Sequence, residues 1–373
     1  MPGSHITING RFLLQAVTGV QRVAREILGE LDRMAAANEI PPPRVLLPKA
    51  GKITGSLDLQ KIRPERIGRW SGHAWEQLDL PRECGAEPLL CLGNTAPVSR
   101  LHRKGEPVVT MVHDLSYAYF PEAYSWQFRA VYRALLPQVA RYSERVVTVS
   151  KAEMKSIARH FPALADSGRL SFFPNGGVRD AAMRTALADA NRGPERRNYG
   201  LYVGSLTRRK NAEGILRAAV DFLRRYPKMR FVVIGSTGAS FQSVTSDVSV
   251  DVANRLEFHG QVDDTNEIYA AYRNARFLLF PSFYESSGLP PIEAMTFGCP
   301  VVSSRIPALL ERCGNAAVYC AADDQGSIAA AIDVLMRDDV SWREQSEAAR
   351  SRAATFSWNA QARGLLDLCE MAR

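Results

Sequence analysis

Phe283-Tyr284-Glu285-Ser286-Ser287-Gly288-Leu289-Pro290-Pro291-Ile292-Glu293-Ala294-Met295 decides how this chain reads. The preceding Arg276-Phe277-Leu278-Leu279-Phe280 is a short apolar run and predicts a buried strand. Gly288 breaks the chain, and Pro290 and Pro291 suit the first positions of a helix, where a missing N–H costs nothing. Glu293 is then expected in that helix's first turn, where the dipole favours an anion and free backbone N–H groups favour a phosphate. The segment becomes a strand, a glycine turn and a helix start with a carboxylate at each end. One carboxylate suits a ribose and the other a sugar, with a diphosphate on the amides of Gly288 and Leu289 between them. An ordinary strand–loop–helix connection with two capping acids would read the same way.

Working outward, the chain alternates strands and helices. His5–Gly10 reads as a first strand and Val20–Met34 as an amphipathic helix, with Val20, Val23, Ala24, Ile27, Leu28 and Leu31 on one face. Apolar runs follow at Arg44–Leu47, Pro88–Leu92, Val108–Val112 and Arg145–Val149, with a helical segment Trp126–Tyr142 between the last two. The polar, charged stretch Asp180–Asn198 reads as a link. The pattern then restarts with Tyr199–Val203, Met229–Ile234, Arg255–Phe258, Phe277–Phe280 and Pro300–Ser303. Such alternation predicts an α/β fold with parallel, doubly wound sheets. The expected division is residues 1–190, residues 191–355 and a final helical segment 356–373. Open parallel sheets bind ligands at the carboxyl ends of their strands, so two α/β halves in series suggest a nucleotide clamp.

Composition agrees with a globular chain. The 373 residues exceed one ordinary core, and 46% are hydrophobic and 23% charged. No stretch approaches the roughly 18 apolar residues of a membrane span, and Met1–His5 opens no signal peptide, so a cytoplasmic location is expected. Six cysteines without Cys-x-x-Cys spacing read as reduced, buried thiols. The net charge of +8 is uneven: residues 1–190 hold 25 Lys/Arg against 18 Asp/Glu, and the remainder 22 against 21. A basic half attracts nucleic acid, anionic lipid or a phosphorylated substrate. With no nucleic-acid motif present, nucleic acid is the partner least expected. No Gly-x-Gly-x-x-Gly occurs, which argues against a dinucleotide oxidoreductase.

The stretch from Glu285 to Glu293 resembles the Glu-x7-Glu signature of retaining GT-B glycosyltransferases, in particular family 4 with its bacterial mannosyl- and glucosyltransferases. Other pieces fall in the family's order: Thr18-Gly19-Val20-Gln21-Arg22, His113-Asp114-Leu115, Pro174-Asn175-Gly176, Val203-Gly204-Ser205-Leu206-Thr207-Arg208-Arg209-Lys210-Asn211 and Phe297-Gly298-Cys299-Pro300-Val301-Val302. The resemblance implies two Rossmann-like domains facing a cleft, the first on the acceptor side and the second for the nucleotide sugar, and a last helix crossing back to the first domain.

It also implies roles. His113, Lys210 and Glu285 are the catalytic candidates: His113 and Glu285 orient the donor sugar, and Lys210 neutralises the leaving diphosphate. Donor binding is expected from Gly19, Ser205, Arg208, Arg209, Lys210, Gly235, Val262, Glu285, Ser287, Gly288, Leu289 and Glu293. Many members carry an arginine where this chain has Ser205, so Arg208 or Arg209 is expected to substitute. Thr18, Arg22, Asp114 and Tyr117 are expected on the acceptor side. Without an Asp-x-Asp the enzyme is expected to be metal-independent, with no cofactor beyond its nucleotide-sugar substrate. GDP-mannose is the first choice of donor. A glycan or polyprenyl-diphosphate-linked saccharide is the acceptor, which adds a peripheral contact with anionic membrane at the inner face. A GT-B-like sugar-nucleotide 2-epimerase and a non-catalytic nucleotide-sugar-binding protein are the rival readings.

Overall fold

The computed structural model describes residues 6–55, 57–179, 197–236 and 248–372. Most of the link read at Asp180–Asn198, and with it the expected boundary between residues 190 and 191, lies outside the described residues. The chain forms two compact units, one of residues 1–176 and 357–373, the other of Gly177–Phe356.

The first unit is a seven-stranded sheet: β1 (Thr7–Asn9), β2 (Arg44–Pro48), β3 (Glu65–Ile67), β4 (Leu89–Cys91), β5 (Val108–Met111), β6 (Arg145–Thr148) and β7 (Leu170–Phe172). Their order is β3-β2-β1-β4-β5-β6-β7, and every pairing is parallel. The second is a six-stranded parallel sheet of β8 (Tyr199–Val203), β9 (Arg230–Ile234), β10 (Leu256–Gly260), β11 (Phe277–Phe280), β12 (Val301–Ser304) and β13 (Ala317–Cys320). Its order is β10-β9-β8-β11-β12-β13. The strand order therefore reverses between β1 and β4 in one sheet and between β8 and β11 in the other. At such a reversal, successive connections leave on opposite faces and open a crevice above the carboxyl ends.

The central strand β11 is apolar throughout, as expected of a parallel strand covered on both faces. Phe277, Leu278, Leu279 and Phe280 are all fully buried. Against them packs the helix Ala212–Arg225, whose Phe222 meets Phe277 edge-on with ring centroids 5.2 Å apart. The first strands and helices stand where the sequence reading puts them, with the first helix running Gly19–Ala36. Strands β3, β7 and β13 were not anticipated. They are edge strands, paired on one side and partly exposed; β3 and β7 carry no long apolar run, whereas β13 lies in the apolar run Ala316–Ala322 that the sequence reading passed over.

The helix Trp358–Met371 belongs to the first unit. Gln361 Nε2 donates to the Phe173 carbonyl (3.0 Å) and to Asn175 Oδ1 (2.8 Å), and Asn359 Nδ2 donates to Glu30 Oε1 (2.8 Å). Gly176 lies so close to Trp358 that a Cβ would stand 2.4 Å from the indole. A Gly176→Ala substitution must therefore push the final helix off its seat and cost about 1–3 kcal/mol, typical of overpacking. A lower melting temperature with faster hydrogen exchange in residues 358–371 is the expected result; an unchanged melting curve would refute the close contact.

Candidate active site

Strand β8 ends at Val203 and gives way to Gly204, whose φ of 143° an L side chain rarely adopts. Gly235 does the same at the end of β9 (φ 138°), and a Cβ there would lie 2.1 Å from the Gly204 carbonyl oxygen. The two strand ends thus meet backbone to backbone. Beyond them the chain makes a 3-10 turn, Arg208–Lys210, and closes it with Asn211 in the left-handed region (φ 63°). The Asn211 side chain accepts from Gly214 N (3.1 Å) and donates to the carbonyls of Pro281 (3.1 Å) and Ala322 (2.6 Å).

That tie brings the turn to the segment after β11. Phe283 N donates to the Arg209 carbonyl (3.0 Å), and Arg209 Nη1 donates to the Tyr284 carbonyl (3.0 Å). Lys210 Nζ bonds Glu285 Oε1 directly and stands 5.0 Å over the Phe280 ring, while Arg209 Nη1 is 3.7 Å from Glu285 Oε2. Glu285 is 9% exposed. One carboxylate and two cations therefore meet in a largely dry setting at the β8/β11 reversal. Arg208, by contrast, is exposed, so of the two arginines weighed for the missing one it is Arg209 that faces the carboxylate.

Glu293 requires a correction. The helix runs Leu289–Thr296 with Gly288 as its N-cap, in the left-handed region (φ 67°) and with Leu309 only 2.7 Å from where a Cβ would be. Since helical geometry starts at Leu289, Pro290 and Pro291 take the second and third positions. Glu293 falls fifth, past the first turn. It is buried and accepts from the Tyr272 hydroxyl at 3.1 Å. The buried Arg312 acts on it as well: burial pushes the Arg312 guanidinium down to about 9, a fall that the nearby Glu293 carboxylate only partly offsets. Ser287 and Leu289 are buried beside this helix start, and Ser205 and Val262 are half-buried. The Ser205 carbonyl accepts from Tyr202 at 3.0 Å.

In the first unit His113 follows β5 and is buried. Its Nε2 donates to the Leu92 carbonyl (2.8 Å), and its backbone N–H donates to Asn94 Oδ1 (2.7 Å). Burial lowers its pKa below the ordinary 6.5, outweighing the Leu92 bond and the charge of Asp114. Neutral and protonated on Nε2, it keeps Nδ1 as an acceptor. Asp114 caps the next turn by accepting from Ser116 N at 3.0 Å. Tyr117 is a core residue, its ring 5.7 Å from that of Tyr132. Thr18 and Gly19 are exposed at the start of the 18-residue helix, with open space around Gly19. Arg22 is half-buried one turn in, its N–H donating to the Thr18 carbonyl (2.9 Å). Sequence reasoning missed Arg209's preference over Arg208, the Asn211 tie and Arg312.

Comparisons with known proteins follow the same division. The profile described as "Glycosyl transferases group 1" matches residues 183–353, and that described as "Glycosyltransferase Family 4" matches residues 90–176. The chain is 36% identical over 167 residues to O-antigen chain mannosyltransferase B of Escherichia coli, covering 43% of this chain and 42% of that protein. It is 28% identical over 259 residues to O-antigen chain mannosyltransferase RfbU of Salmonella typhimurium, covering 69% and 67%. The matched region thus spans about two-fifths of the first relative and two-thirds of the second. Among solved structures, sucrose-phosphate synthase from Thermosynechococcus elongatus is similar with a TM-score of 0.73 at 19% identity, covering 99% of this chain and 98% of that one. WaaG, a glycosyltransferase involved in lipopolysaccharide biosynthesis, is similar with a TM-score of 0.69 at 17% identity, covering 98% and 99%. Two parallel α/β sheets and these neighbours give the chain the GT-B glycosyltransferase fold, with a segment matching glycosyltransferase family 4 in its first unit and one matching glycosyl transferases group 1 in its second.

Proposed function

We propose that this chain is a retaining glycosyltransferase. It moves a hexose from a nucleoside-diphosphate sugar to a hydroxyl of a glycan or polyprenyl-diphosphate-linked saccharide. The observation that carries the reading is the meeting of Lys210 and Arg209 on Glu285. A donor diphosphate entering this crevice takes over the two cations, and Glu285 turns to the sugar's hydroxyls, which replace its lost partners with charge-assisted hydrogen bonds. As the bond from the sugar's C1 to phosphate breaks, charge grows on the leaving oxygen, and cations held in a dry site stabilise that charge most. The acceptor oxygen bonds C1 on the same face and its proton passes to the leaving phosphate oxygen. In the first unit, His113, neutral, offers Nδ1 at the end of β5 as an acceptor for a saccharide hydroxyl. Glu293 accepts the ribose hydroxyls once Tyr272 yields. No metal is required in this scheme, because Lys210 and Arg209 do the neutralising. GDP-mannose is the favoured donor; two relatives, both O-antigen chain mannosyltransferases, support mannose as the sugar.

A thermal-shift series with GDP, UDP, ADP and CMP tests this reading. One diphosphate should raise the melting temperature by mass action, equally with and without EDTA. Lys210→Ala should cut transfer by at least about 10²-fold, with a small stability change because Arg209 stays beside Glu285. Unchanged turnover would sink the phosphate role.

A second expectation concerns pH. The unfolded chain protonates His113 below about 6.5 while the folded chain resists, so stability is full above that pH and falls as pH drops through it. Equilibrium unfolding between pH 7.5 and 5 should show a shallower decline for His113→Gln; equal slopes would contradict the buried neutral imidazole.

The acceptor reading carries a membrane contact. Trp126 is 69% exposed at the start of the helix Trp126–Tyr142, which also exposes Arg133 and Arg141. An exposed indole beside cations suits an anionic lipid surface. No helix among the described residues is long and apolar enough to cross a membrane. The chain should float with phosphatidylglycerol vesicles and not with phosphatidylcholine, and Trp126→Ala with Arg133→Glu should abolish flotation; persistence in that variant would dismiss the contact.

A further inference from the structure

The first sheet has its own reversal, between β1 and β4, and a buried polar cluster stands there. Glu76, on the helix Gly72–Leu78, is fully buried. Asn9 at the end of β1 donates to its Oε1 (3.2 Å), and Thr95 just past β4 donates to it at 2.8 Å. Arg11 Nε lies 3.0 Å from Oε2, and His73 Nδ1 lies 3.3 Å from the same atom. Burial alone would raise the Glu76 pKa. Arg11, then His73 and Thr95, outweigh it and hold the carboxylate ionised. Such a cluster is costly to desolvate and contributes little stability beyond apolar packing, so its use lies elsewhere.

Glu76 fixes Arg11. The guanidinium also donates through Nη2 to Thr95 Oγ1 (3.0 Å), and its Nη1 stands 3.5 Å from His73 Nε2. Although 7% exposed, Arg11 lines a cavity of about 300 Å³ with Leu14, Gln15, Pro48, Gly51 and Ser71. That volume is at the small end of ligand sites and suits one charged sugar. The wall is braced by Arg66 Nη1, which donates to the carbonyls of Pro48 (3.1 Å), Lys49 (3.0 Å) and Gly51 (3.0 Å).

The surroundings are cationic. Residues 49–73 hold six Lys/Arg against Asp58 and Glu65, and Glu65 is already bonded by Arg44 (2.9 Å). Lys49, Lys52 and Arg69 are exposed, and Trp70, 49% exposed, adjoins Ser71. An aromatic face stacks on a sugar, and exposed cations close in sequence to the lining residues Pro48, Gly51 and Ser71 favour an anionic ligand.

We propose that this cavity binds a phosphate-bearing saccharide, with Arg11 as the specificity-determining residue held in place by Glu76. The proposal rests on the glycosyltransferase reading only in naming the occupant as the acceptor: the acceptor brings its phosphate here while the donor uses the second unit. A saccharide 1-phosphate and a lipid-linked saccharide diphosphate present the same chemistry.

Calorimetric titration of the full chain, with GDP at saturation to fill the donor site, tests it. Mannose 1-phosphate should bind and mannose should not. Lys49→Glu with Arg69→Glu, both at the surface and safe for folding, should weaken mannose 1-phosphate at least tenfold. Arg11→Lys, which keeps the charge against Glu76 but loses the planar fork, should do the same with the fold checked by its melting temperature. Geranyl diphosphate binding tighter than mannose 1-phosphate would assign the lipid-linked source, and the reverse order the soluble one. Equal binding of mannose and mannose 1-phosphate, or full affinity in the Lys49/Arg69 double variant, would overturn the proposal. Failure of the donor reading would appear separately, as no heat from GDP itself.

Discussion

Asn211 holds the second unit's chemistry together. A non-glycine residue in the left-handed region costs about 1 kcal/mol or more, and here the cost is offset by three side-chain hydrogen bonds, one capping the helix Ala212–Arg225 at Gly214 and two reaching the carbonyls of Pro281 and Ala322 just past β11 and β13. The exits of β8, β11 and β13 are thereby fixed to one another. Only with that tie does a lysine at position 210 meet a carboxylate at 285 with both side chains largely out of water. A looser turn would let Lys210 retreat to solvent, where its attraction for Glu285 or a phosphate falls several-fold with the rising dielectric.

The two sheets share a plan at their reversals. In the second unit a carboxylate carries two cations; in the first a buried carboxylate carries an arginine, a histidine and two neutral donors. Each acid orients basic groups more than it cancels them. Parallel strands force this location: their carboxyl ends all point one way, and the connections part where the strand order turns.

Much of this was legible in the sequence, and what was not had physical reasons. Phe277–Phe280 and Tyr199–Val203 read as buried strands because both faces are covered, leaving no polar alternation. Glu65–Ile67 did not, because an edge strand pairs on one side and keeps Glu65 and Arg66 exposed. The pair Glu285 and Glu293 was visible by spacing, yet the depth of Glu293 hung on a one-residue difference in where Gly288 starts the helix. Arg208 and Arg209 are adjacent in sequence and differ only in where a 3-10 turn points them. Arg11 and Glu76 lie 65 positions apart, and no local pattern joins them.

The helix Trp358–Met371 packs in the first unit, yet Gly177–Phe356 lie between it and the rest of that unit. On the ribosome this inverts the usual order. Domains generally fold as they emerge, the earlier before the later. Here the second unit's whole sequence is synthesised before the earlier unit receives its last helix, and until then the seat that Gly176 and Asn175 form for Trp358 and Gln361 stands uncovered. The earlier-made half is therefore the one that finishes folding last, and it is the half for which a chaperone would have to wait.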